Sequence, residues 1–406
     1  MNTFFSWLPE KEKQRIRGLE QFDEYEEWHL KCSHYMILCA FKGRVNVLKD
    51  HILPNSFVGD DSLRPVYKSV KLTVESIYYS SSCLKRYGHG SCVLSDGSIV
   101  IIGGYGESSF GGITPHSRLN DVLKLQLDTE GWKLCSLDNV HGSGPGVLMH
   151  HTATAIANGT AVFVIGGRTS PACPNKKMFV LRENEPFSDA FEWSEIVLHP
   201  ESAVMEPCWR HTANCIHVDN EEVVLIVGGS CVRTCALVDI YKLNTASWRL
   251  EKLCVSLPEG RCFHSCVSCW EGLMICGGMD SSMQPISSCL YLRHSLPDVW
   301  NLSPVHFSPP IPPKYSMSAA VTGDHVILSG GVGLEPSPDL IVINLALRIW
   351  FGAMIFHEKE DILLEKHTCH LLAGQKLVLL GGGGNCFSFG THFNCGICTI
   401  DTNSLF

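Results

Sequence analysis

The chain has 406 residues, of which 45% are hydrophobic and 18% charged, and its net charge is −9 at neutral pH. This balance excludes a disordered tract. It also argues against nonspecific binding of a polyanion, which needs clustered Lys and Arg, while leaving room for a local basic patch.

In chain order, residues 1–42 stand apart. Glu10 to Glu20 is charged and rich in helix formers, and Asp23 is placed to cap a second helix, DEYEEWHLKCSHY, whose acidic first turn suits the helix dipole. Tyr35 to Phe41, YMILCAF, has the length of a buried strand. Two helices and a strand read as the short α/β remnant of a larger domain. Residues 43–63, with Gly43, Pro54, Asn55 and Gly59, read as a linker. MNTFFSWLPEKEK shows no secretory signal, and no window approaches the ~18 apolar residues of a membrane span. A cytoplasmic protein is expected, with its 20 cysteines reduced.

From residue 64 the chain repeats. Six apolar runs end in a glycine pair, at Gly104, Gly167, Gly229, Gly278, Gly331 and Gly382. A period of roughly 50 to 60 residues with strands ending in Gly-Gly marks a blade-by-blade array, so 64–406 is expected to be all-β and six-bladed. Before each pair lies a strand preceded by a basic or polar residue near a His or aromatic. After it comes a third strand, and then a Trp marks the fourth in five units, at Trp132, Trp193, Trp248, Trp300 and Trp350. One large aromatic per unit suits the wedge between neighbouring blades. The sixth unit stops after its third strand. Its missing outer strand is expected from VYKSVKLTVESIYY, residues 66–79, rich in Val, Tyr and Thr.

Few residues invite a chemical reading. Arg86, Arg210, Arg261, Lys314 and Lys366 open repeats, and a ring of them would suit nucleic-acid phosphates; otherwise each pairs locally with a carboxylate or carbonyl. Trp209 beside Arg210 is part of that reading. Phe387, Phe389 and Phe393 in one loop suit stacking on an unpaired base, or else plug the last gap between blades. Gly381 to Gly384 lack the Lys-Ser/Thr and helix of a phosphate loop. Cys262, Cys266 and Cys269 with His264 have metal-ligand composition but not metal-ligand spacing. The recurring His89, His151, His211, His264 and His367 are expected to bond a neighbouring blade's backbone. No nucleophile–base pattern is present, so no catalytic, cofactor-binding or metal residue is assigned.

The Gly-Gly, aromatic and Trp pattern resembles the kelch repeat, and so implies a six-bladed kelch β-propeller. LEQFDEYEEWHLKCSHYMILCA, residues 19–40, resembles the closing helix and last strand of the leucine carboxyl methyltransferase family. LLGGGGNCFSFGTHFN, residues 380–394, resembles the last blade of the wybutosine-synthesizing branch of that family, which joins such a domain to a kelch propeller. The resemblance implies S-adenosylmethionine-dependent methylation and methoxycarbonylation of the modified guanosine beside the anticodon of phenylalanine tRNA. The donor-binding part is absent from these 406 residues, so no cofactor is expected for this chain alone. The alternative is a stand-alone kelch scaffold or ubiquitin-ligase adaptor without catalysis.

Overall fold

The computed structural model describes residues 67–75, 81–107, 116–129, 131–137, 140–170, 173–184, 190–296, 299–333, 337–356, 362–386, 390–394 and 396–406. The expected remnant at 1–42, the linker at 43–63, and Phe387 and Phe389 lie outside the described residues. Among the described residues no helix is long and apolar enough to cross a membrane.

Antiparallel sheets follow one another along the chain, and each begins with its innermost strand. Blade 1 comprises Gly90–Val93, Ile99–Ile102, Val122–Asp128 and Gly131–Ser136. Blade 2 comprises Met149–Ile156, Ala161–Ser170, Met178–Glu183 and Phe191–Glu195. Blade 3 is built from Thr212–Val218, Glu221–Val227, Ile240–Asn244 and Leu250–Lys252, and blade 4 from Ser265–Cys269, Gly272–Cys276, Cys289–Leu296 and Val299–Val305. Blade 5 uses Tyr315–Thr322, His325–Val332, Leu340–Asn344 and Ile349–Phe356. Blade 6 takes three strands from the C-terminal end, Thr368–Leu372, Lys376–Leu380 and Ile397–Asp401; its fourth is Thr73–Glu75, antiparallel to Ile397–Asp401. The innermost strands neighbour one another in order, and Thr368–Leu372 lies beside Gly90–Val93, which closes the ring.

The second strand of each blade is apolar without alternation because both of its faces are buried. Ile99 and Ile101 pack with Val378 and Leu380 of blade 6, whereas Val100 and Ile102 pack with Val162 and Val164 of blade 2. Side chains alternate between two gaps rather than between core and water. Each repeat Trp enters the gap toward the preceding blade: Trp132 joins the blade 6–1 core, Trp193 the 1–2 core, Trp300 the 3–4 core and Trp350 the 4–5 core. Trp248 packs against the 2–3 core. Emptying such a wedge by truncation to Ala costs on the order of 3–5 kcal/mol.

The segment read as a single closing strand does two things. Thr73–Glu75 completes blade 6, and Tyr67–Lys71 adds a fifth, parallel strand to the outer edge of blade 5, with Tyr67 opposite Gly352 and Lys71 opposite Phe356. Val70 and Leu72 sit in the core between blades 5 and 6. Lys68 Nζ donates to Leu405 O at 2.6 Å, which ties this strap to the last turn of the chain.

Candidate functional site

The glycine pairs end at the propeller axis, and the neighbouring blade explains them. Gly103 (φ +57°) leaves no room for a Cβ, which would sit 2.6 Å from Leu148 O of blade 2. A Cβ on Gly104 would lie 2.9 Å from His89 Cβ of the same blade, and the Gly104 N–H donates to that Leu148 carbonyl at 2.8 Å. The arrangement recurs around the ring, so each pair is clasped between its own blade's His (Met317 in blade 5) and the next blade's chain. Gly382 N–H is likewise engaged by Arg86 O at 2.8 Å and Gly383 N–H by Glu365 O at 2.9 Å. These amides therefore do not form an anion cradle.

Four of the five recurring histidines bond side-chain hydroxyls of the preceding blade rather than its backbone, whereas His151 faces the Ile102 backbone of blade 1, as expected. His211 Nε2 lies 3.0 Å from Thr152 Oγ1, His264 Nε2 2.9 Å from Thr212 Oγ1, and His89 Nε2 2.9 Å from Thr368 Oγ1. His367 Nε2 meets Ser329 Oγ at 2.8 Å. The hydroxyl wins because the inner-strand carbonyls already serve the sheet ladder. Burial holds these imidazoles neutral: His151 and His367 titrate at about 3 and His211 at about 4. Blade 5 places Met317 where the others place His, packed on Gly277 in the same way. His264 is thus engaged with Thr212, and Thr212 Oγ1 also donates to Cys266 Sγ at 2.9 Å. Among the described residues no group of His, Cys, Asp or Glu is arranged to hold a metal.

Aligning the blades on these residues corrects the single basic ring expected from the sequence. Arg86, Arg261 and Lys314 occupy the position three before the His or Met. Arg210 and Lys366 occupy the position one before. The first set is buried inside the repeats. Arg86 grips Asp121 with both Nη atoms, at 2.8 and 2.6 Å, and donates to Gly103 O at 2.8 Å. Arg261 donates to Gly277 O at 3.2 Å and Ser288 Oγ at 3.0 Å, and Lys314 Nζ to Pro338 O at 2.7 Å. All three are 3% exposed or less, so their job is to brace the glycine turns. Trp209 is also buried, with the Arg168 guanidinium 5.6 Å above its ring. Phe393 is buried too, stacked on Tyr87 at 5.7 Å and tilted toward Tyr105 at 6.4 Å.

The second set lines the channel mouth. The residues one before the His or Met are Gly88, His150, Arg210, Phe263, Ser316 and Lys366, and all have positive φ between 52° and 64°. Their backbones bond hand to hand around the axis. Gly88 N–H donates to Lys366 O at 3.0 Å, His150 to Gly88 O at 2.8 Å, Arg210 to His150 O at 3.0 Å, Phe263 to Arg210 O at 3.0 Å and Ser316 to Phe263 O at 2.8 Å. Non-glycine residues in this conformation are strained by about 1–2 kcal/mol each, which the ring's hydrogen bonds offset. These six residues line a cavity of ≈ 140 Å³.

Cations gather there. The Arg210 guanidinium lies 4.3 Å over the Phe263 ring, and Lys366 Nζ is 5.0 Å over Tyr87. Lys366 also meets Glu365 at 3.4 Å. Burial lowers the Lys366 pKa, Glu365 opposes that, and Arg210 and Arg168 add to it. Burial, then Arg210, Arg168 and Lys366, hold His150 well below the ordinary imidazole range. Arg168, His150, Phe263 and Ser316 were absent from the sequence-level candidates. The signal for three of them was the residue before each His, or before Met317 in blade 5, hidden because basic residues recur at two different offsets.

The KLHDC2/KLHL20/DRC7 Kelch-repeats domain matches residues 66–278. The chain is 36% identical over 423 residues to the tRNA wybutosine-synthesizing protein 4 of Rattus norvegicus, and 34% identical over 424 residues to that of Homo sapiens. Both alignments cover 100% of this chain and 60% of the relative. The tRNA wybutosine-synthesizing protein 4 of Saccharomyces cerevisiae is 23% identical over 419 residues, which is 96% of this chain and 54% of its own length. The chain therefore spans between half and two thirds of the length of these curated relatives.

Proposed function

The chain belongs to the kelch-repeat family, and from that premise we propose that its propeller is the binding platform of a tRNA-modifying protein. The supporting observation is similarity along the whole chain to proteins named for wybutosine synthesis. In this reading the substrate is phenylalanine tRNA, approached at the anticodon arm, and the protein is cytoplasmic. The chemistry is methyl transfer and methoxycarbonylation, with S-adenosylmethionine as the donor of the methyl group in the full-length family. Residues 1–42 are the tail of the domain that performs it, residues 43–63 the linker, and residues 64–406 the platform.

The described residues do not fit that cofactor. The glycine runs at Gly103 and Gly381 end propeller strands, and their amides are engaged by the neighbouring blade. No step is derived through it. What the described residues offer is a mouth that combines guanidinium, ammonium and aromatic groups, a combination that suits phosphate and base together.

Filter binding of an anticodon stem-loop of phenylalanine tRNA to the 406-residue chain tests the reading. Saturable binding that a stem-loop of unrelated sequence competes only weakly supports it. A folded chain that retains neither RNA sinks it, and favours the protein-interaction reading suggested by the kelch match and by 26% identity over 193 residues to the human Kelch domain-containing protein 10.

A further inference from the structure

We infer that the channel mouth is an oxyanion site that takes one phosphate group, with Arg210, Lys366 and Ser316 as its ligands and Arg168 adding charge. The inference rests on the tRNA reading only in naming an RNA strand as the favoured source of that phosphate.

Three observations converge. The first is geometric. The ring of left-handed residues directs Arg210, Ser316 and Lys366, from three different blades, into one ≈ 140 Å³ cavity. The second is electrostatic. Arg210 and Arg168 both act on Lys366, which also meets Glu365. A positive potential gathered at a cleft attracts an entering anion. The third is the orphaned hydroxyl. Ser316 is 5% exposed, lines the cavity, and its Oγ has no hydrogen-bond partner among the described residues. A donor so placed awaits an acceptor.

The shape favours phosphate over a planar carboxylate. A guanidinium fork, an ammonium and a hydroxyl reach the cavity from different points of the ring, which suits an acceptor with oxygens in several directions. Beside Lys366, Tyr87 packs with Tyr105 at 5.5 Å, and Tyr105 and His116 are partly exposed. A nucleotide whose phosphate sits in the mouth has an aromatic surface within reach of its base. These features favour RNA over an acidic peptide.

The test is titration of the 406-residue chain with inorganic phosphate at fixed ionic strength, followed by an unpaired oligouridine with phosphate as competitor. Saturable phosphate binding is expected, and phosphate should displace the oligonucleotide. Arg210→Gln and Lys366→Gln should each weaken both about tenfold, as loss of one charge-assisted bond implies. Lys177→Gln, an exposed position paired with Glu195, should change neither. If either Gln variant melts early, Arg210→Lys replaces it, keeping the charge and losing the fork. Phosphate binding that is lost in the variants, with no oligonucleotide binding, keeps the site, assigns it to free phosphate, and counts against the tRNA reading. Oligonucleotide binding that survives in both variants, with no phosphate bound by the native chain, removes the site and leaves the tRNA reading standing. A peptide's C-terminal carboxylate that competes where RNA does not also overturns the inference.

Discussion

His211 shows what one repeated residue does. It spans a blade boundary, bonds Thr152 at 3.0 Å, and fills the space that a side chain at Gly166 would need. The same packing keeps it neutral. Its pKa of about 4, with about 3 for His151 and His367, lies below the 6.5 of a solvated imidazole. Above pH 6.5 neither the folded nor the unfolded chain protonates these rings. Below it the unfolded chain takes up protons that the folded chain refuses, so stability falls as the pH drops from 6.5 toward 4. Each such His contributes about 1.4 kcal/mol per pH unit to that slope. Urea unfolding at pH 7.5, 6.0 and 5.0 should show the loss setting in well above the carboxylate range. His211→Met, copying Met317, should cost about 1 kcal/mol at pH 7.5 and remove one proton's share of the slope. An unchanged slope would place the acid sensitivity elsewhere.

Among the elements, the strap at 67–75 was half legible. Its Val, Tyr and Thr content and the missing strand of the last repeat pointed to blade 6. The parallel addition to blade 5 left no mark in the sequence, because an edge strand pairs by backbone and needs only Val70 and Leu72 to face inward. Glycine pairs and Trp wedges were legible because each answers one steric demand that every blade repeats. The two basic rings were not, since Arg and Lys occur at both offsets and Met317 breaks the His series that fixes the register. Leu72 is 4% exposed and Val197 is 85% exposed. Leu72→Ala should therefore cost about 2–4 kcal/mol in thermal or urea unfolding, against less than about 0.5 for Val197→Ala. Equal effects would mean that the strap is dispensable.

At the scale of the whole molecule, a net charge of −9 and a cationic mouth set opposite expectations for salt. A broad basic face would release many counterions. A mouth that takes one phosphate of a single strand should give a slope of log affinity against log salt of only about −0.7. RNA binding measured across a potassium chloride series decides this, and a slope steeper than about −5 would point to a larger surface than the channel mouth.

The manner in which the ring is fastened also governs when it can form. The segment that completes blade 6 and edges blade 5 is made by the ribosome before any of the six inner strands, yet its partner at Ile397–Asp401 emerges after all of them. At about 5–20 residues per second, the nascent chain waits tens of seconds with that edge unmatched. Closure of the ring thereby waits for Ile397–Asp401, and until then the strap presents a bare edge to any other strand.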